Sequence, residues 1–95
     1  MQKVLFLTIK KKWFDMIAAG EKLEEYRDLK PFFETRLKNR RYDAVIFQNG
    51  YSPTSPRLTV EYKGVKIKTG KEQWGAEKGK LYYALQLGHV ICQTN

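Results

Sequence analysis

The sequence predicts an α+β domain that is mainly β with two short helices, built as a small barrel of five or six mostly antiparallel strands. Three observations carry this. Apolar residues alternate or run together in short segments bounded by glycine, proline and asparagine. Helical spacing occurs only twice, both times in the first half of the chain. No strand–helix–strand unit of about 30 residues repeats, which disfavours a doubly wound parallel sheet. With 95 residues, the chain is expected to form one domain, 1–95, too short for two separate cores.

Taken in order, Lys3 to Ile9 reads as a strand with apolar residues on both faces, and therefore as a central one. Residues 11–19 switch to helical spacing, with Trp13, Met16 and Ile17 at i, i+3 and i+4, and Gly20 supplies a left-handed stop. Lys22 to Asp28 is a second strand. Pro31 opens a short helix at its preferred first-turn position, with Glu34 near the positive end and Phe33–Leu37 as an i, i+4 pair.

Tyr42 to Gln48 is another strand, and residues 49–57 form a turn-rich loop. Leu58, Val60 and Tyr62 alternate with polar residues, and after Gly64 the apolar parity shifts to Val65 and Ile67. That shift predicts a tight turn or a bulge at Lys63–Gly64. Residues 69–80 form a second loop around Trp74–Gly75, and Leu81 opens a last strand that Val90 to Cys92 can continue past Gly88.

The composition narrows function. A formal net charge of +8 favours anionic partners, nucleic acid first, because phosphate attracts such a field over roughly 8–10 Å. Cys92 and His89 are each the single residue of their type, which excludes a disulfide framework and a histidine-rich or cysteine-rich metal site. No cofactor motif is present, neither a P-loop nor a dinucleotide fingerprint. Val4 to Ile9 is too short for a leader, and no run approaches the roughly 20 residues that span a bilayer. The chain is expected to be soluble, reduced and cytoplasmic.

Gly20 to Asp28 holds the densest mixture of opposite charges. Strand parity sets Leu23, Glu25 and Arg27 on one face, and Lys22, Glu24, Tyr26 and Asp28 on the other. Lys22, just after the glycine, precedes the regular strand and can converge with Glu25 and Arg27 on one polar pocket. Burial would lower the pKa of such a lysine while the carboxylate opposes the shift. Lys22 can then serve as base or nucleophile with Glu25 as acid/base partner, and Arg27 can hold an oxyanion or phosphate. Alternatively the charges pair across a solvated strand. Asn49–Gly50–Tyr51 and Trp74–Gly75 each place a glycine beside a ring, an arrangement in which Asn49, Tyr51 or Trp74 can meet a base. An ordinary hairpin turn and a core tryptophan explain them equally.

An ordered set of motifs extends over nearly the whole chain: Leu7-Thr8-Ile9-Lys10, Trp13-Phe14-Asp15-Met16-Ile17, Gly20-Glu21-Lys22, Glu25-Tyr26-Arg27, Lys30-Pro31-Phe32, Tyr42-Asp43, Asn49-Gly50-Tyr51, Trp74-Gly75-Ala76-Glu77 and Leu87-Gly88. It resembles the ASCH domain family, relatives of the PUA RNA-binding barrel, in its short single-domain bacterial and phage form. The resemblance implies a PUA-like barrel whose cleft carries the Gly-x-Lys-x-x-Glu-x-Arg signature, here Lys22, Glu25 and Arg27. It implies RNA or a nucleotide-like ligand as the partner. It also leaves open a hydrolase acting on a modified nucleoside or an RNA phosphodiester, or a regulatory domain for a small anion. The amidohydrolase branch carries threonine where this chain has Glu25.

Overall fold

The computed structural model describes residues 3–94, and five strands form one curled sheet, a half-barrel. In chain order the elements are β1 (Val4–Thr8), α1 (Lys11–Ala18), β2 (Glu24–Arg27), α2 (Pro31–Leu37), β3 (Ala44–Gln48), β4 (Arg57–Thr69), a 3-10 turn (Glu72–Trp74) and β5 (Leu81–Thr94). The strands lie in the order β1-β3-β4-β5-β2. The β1–β3 pair is parallel, and its crossover carries α1, β2 and α2; the other three pairings are antiparallel.

The number of strands is settled by two glycines. The parity shift at Lys63–Gly64 is a bulge rather than a turn: β4 continues through it, with register irregularities between Thr59 and Gly64 and a positive φ of 120° at Gly64. β5 likewise continues as one strand past Gly88, with its share of the register shift between Leu87 and Val90. The long β4–β5 hairpin is therefore bent in the middle. Its outer half pairs β4 with β3, its other half pairs β5 with β2, and the bend curls the sheet.

Inward residues Leu5, Leu7, Val45, Phe47, Leu58, Val60 and Leu85 make the core, and α1 adds Phe14 and Ile17 while α2 adds Leu37. The expected central position of β1 does not hold. β1 is an edge strand, and its outward Val4 and Phe6 are 39% and 47% exposed. Its apolar residues on both faces read as two-sided burial, yet neither helix covers the outer face of this edge. Both edges of the sheet, β1 and β2, meet only through side chains, so the half-barrel has a seam.

One buried polar atom stands out. Tyr62 packs edge-on against Tyr42, and its hydroxyl is buried with no hydrogen-bond partner among the described residues. Burial pushes its pKa up to about 12. Replacing Tyr62→Phe removes a desolvated hydroxyl and keeps the ring, so stability is expected to rise by about 1 kcal/mol in urea unfolding. A loss of similar size would contradict the assignment.

Candidate functional site

Gly20 makes the site possible. α1 ends with Ala19 as its cap and Gly20 at φ 77°, and the amides of Gly20 and Glu21 return to the carbonyls of Ile17 and Met16 at 3.0 and 2.9 Å. This is a Schellman closure, which satisfies the last carbonyls of a helix and reverses the chain. The reversal delivers Lys22 under the barrel wall before β2 begins.

Lys22 is 1% exposed, the largest fully buried side chain among the described residues. Its ammonium donates to the carbonyls of Glu24 (2.6 Å) and Trp74 (2.9 Å) and pairs with Glu25 Oε1 at 3.1 Å. All three donors are thus engaged. The rings of Trp13 and Tyr26 lie 5.3 and 4.9 Å from Nζ, within cation–π range. Burial lowers its pKa below the usual 10.5, and Glu25 opposes the shift without cancelling it.

Glu25 passes this order on to Arg27. Its Oε2 accepts from Arg27 Nε (3.1 Å) and Nη2 (2.8 Å), and Nη2 also donates to the carbonyl of Thr8 at 2.8 Å. Arg27 thereby clasps edge strand β2 to edge strand β1 across the seam. Phe33 of α2 supports the guanidinium from 5.7 Å. Nη1 has no acceptor among the described residues, so its two N–H groups are left for a ligand.

Arg27 lines an open cleft of about 720 Å³ together with Thr8, Ile9, Lys10, Trp13, Glu25, Tyr26, Asp28, Phe33, Asn49, Gly50 and Tyr51. Asn49 fixes its own orientation by donating Nδ2 to the Ile9 carbonyl at 3.0 Å, which leaves Oδ1 as an acceptor beside the cleft. Its amide donates to the Pro56 carbonyl (3.0 Å) and closes the 49–56 loop, and Gln48 braces that loop through the Gly50 carbonyl at 2.8 Å. Tyr51 sits on the loop 90% exposed.

Of the residues the sequence singles out, Glu25, Arg27, Asn49 and Tyr51 line one cleft, and two do not. Lys22 lies behind it, reaching Glu25 because residues 21–23 are irregular and escape strand parity. Trp74 is 7% exposed and not among the cleft residues, a core tryptophan whose contribution to the site is its carbonyl. The 3-10 turn presents that carbonyl and ends at Gly75, φ 98°, where a Cβ would stand 2.8 Å from Trp13 Cζ2. Gly75 is therefore what lets Trp13 close over Lys22.

Sequence reasoning gave no role to Glu24, yet it is buried. It accepts from the Tyr26 hydroxyl (2.8 Å), Gln86 Nε2 (2.8 Å) and Lys68 Nζ (3.0 Å). Burial alone would raise its pKa, but hydrogen bonds from Tyr26, Gln86 and Lys68 outweigh that and hold it below 4.5. Burial likewise pushes Tyr26 up to about 12. The Glu24–Tyr26 spacing at i, i+2 was the available signal; Gln86 and Lys68 enter only through strand register. Asp28 pairs with Lys80 and Lys30 on the cleft rim.

Among the described residues no cluster of His, Cys, Asp or Glu is placed to hold a metal, and no helix is long and apolar enough to cross a membrane. No protein-family model, curated protein or solved structure matches the chain.

The pKa shifts fix how stability depends on pH. Lys22 is held below its unfolded value of 10.5, so the unfolded chain binds more protons there and stability rises as pH climbs through that window. Tyr26 and Tyr62 act oppositely: shifted from 10.0 to about 12, they contribute fully below pH 10 and lose that contribution as pH passes 12. Lys22→Met should abolish the rise and keep the fall. Urea unfolding across a pH series tests this, and a Lys22→Met profile parallel to the wild type would contradict it.

Proposed function

We propose that the chain is an RNA-binding domain of the ASCH, PUA-like kind, and that the seam cleft takes a nucleotide of the bound strand. The observation that carries this reading is the half-engaged guanidinium of Arg27. Three of its five N–H groups are fixed by Glu25 and Thr8, the two at Nη1 have no acceptor among the described residues, and Arg27 lines a cleft bordered by aromatic rings. The two free N–H groups of Nη1 can each donate to a phosphate oxygen or to an acceptor on a base edge. Asn49 Oδ1 supplies an acceptor for an exocyclic amine, and Tyr51 and Trp13 offer faces on which a base can stack. The net charge of +8 adds sequence-independent attraction. A cytoplasmic setting, with RNA at hand and Cys92 kept reduced, suits this reading.

In this scheme Arg27 is the contact, Glu25 aligns it and Lys22 aligns Glu25. The caging of Lys22 weighs against the hydrolytic alternative. A base or nucleophile needs a free lone pair within reach of substrate. Here the ammonium is enclosed, and all its hydrogens are directed at protein acceptors.

Fluorescence anisotropy with unstructured RNA oligomers tests the reading. Binding should weaken with rising salt, and Arg27→Ala should cost about 1–3 kcal/mol of affinity. Tyr51→Ala, at a fully outlying side chain, leaves the fold intact and should also weaken binding. Salt-independent binding, or affinity indifferent to both substitutions, would refute the proposal.

A further inference from the structure

The exposed outer face of β1 is left unexplained by the cleft. Strand parity sets Val4, Phe6 and Thr8 on that face at steps of about 6.6 Å. At one end Thr8 belongs to the cleft wall. At the other, Lys3 and Val4 line a second open hollow of about 640 Å³ together with Arg40, Arg41 and Tyr42. Phe6 lies between the two, 47% exposed. Arg57, on β4 in the row that runs from Thr8 through Gln48, rests its guanidinium 5.1 Å from the Phe6 ring.

The charges along this face are free of ion pairs. No carboxylate among the described residues pairs with the side chain of Lys3, Arg40, Arg41 or Arg57. Asp43 is the neighbouring acid, and its Oδ2 accepts from the Lys3 backbone amide at 2.9 Å. Two of the arginines are partly oriented: Arg40 Nε donates to the Thr35 carbonyl and Arg57 Nε to Gln48 Oε1, at 3.1 and 2.9 Å. Oriented cations spaced around an exposed ring are what a phosphate-linked chain of bases requires. A purely apolar partner would instead strand these cations without counter-charge.

We propose that the outer face of β1 is a track for single-stranded RNA, leading from the seam cleft across Phe6 to the Arg40–Arg41 hollow. Phosphates meet Arg57 and then Lys3, Arg40 and Arg41, and a base stacks on Phe6. The inference rests on the RNA reading of the cleft and extends it: the ligand is a strand, not a free nucleotide.

Anisotropy with a dinucleotide and with a longer unstructured RNA separates the two claims. For the long RNA, Arg40→Ala/Arg41→Ala should weaken binding about 10-fold and flatten the slope of log affinity against log salt by about 1.4, two single-strand contacts' worth. Phe6→Thr should weaken the same RNA, and neither variant should alter dinucleotide binding, which Arg27→Ala should. If both β1-face variants bind the long RNA as the wild type does while Arg27→Ala weakens it, the track is wrong and the cleft reading stands. Such a result would suit an acidic protein segment on this face instead. If the wild type binds no RNA, both fall.

Discussion

Everything at the seam depends on satisfying one buried ammonium. An unpaired charge inside a protein costs several kcal/mol, so a lysine at 1% exposure survives only if each donor finds an acceptor. Lys22 finds three, and they come from separate places: the carbonyl of Glu24, the carbonyl of Trp74 and the carboxylate of Glu25. Satisfying Lys22 therefore holds the 3-10 turn to β2, and the second oxygen of Glu25 holds Arg27, which in turn holds β1 through Thr8. A sheet with two open edges is closed by side chains where backbone pairing is missing. The same closure leaves the Nη1 amino group of that guanidinium without a partner among the described residues.

This arrangement gives Lys22, Glu25 and Arg27 different tasks. Of these three, only Arg27 meets the ligand in the proposed function. Glu25 is a positioning residue, with both oxygens committed to cations, and Lys22 acts through it. Buried ion pairs seldom add net stability relative to apolar packing, so the value of this one lies in orientation. Glu24, on the opposite face, does the parallel service for Tyr26, whose ring is one wall of the lysine cage.

Much of the frame was legible because local rules act on neighbouring residues. Gly20 as a helix stop, Pro31 as a helix start, the bulge at Gly64 and the Phe33–Leu37 pair each depend on residues a few positions apart. What failed depended on distant partners. β1 was read as central because Val4 and Phe6 are apolar, and apolar character alone does not say whether another layer exists to cover it. The Glu25–Arg27 contact is readable from i, i+2 spacing, but strand parity sets Lys22 on the opposite face and leaves a solvated strand equally open; the depth of Lys22 is not readable, because its cage is built by Trp13 and by the carbonyl of Trp74, 52 positions away. Trp74 serves the site through its carbonyl rather than its ring. Glu24 was passed over for the same reason: Lys68 and Gln86 reach it only across the sheet.

A double-mutant cycle on RNA affinity tests the central claim most directly, using Lys22→Met and Arg27→Lys. Arg27→Lys keeps the positive charge but loses the planar fork that Glu25 aligns. If Lys22 acts only by aligning Arg27, Lys22→Met weakens binding in the wild type and has no further effect once Arg27 is lysine. Additive losses would mean that Lys22 contributes to binding independently of Arg27, and would contradict the account.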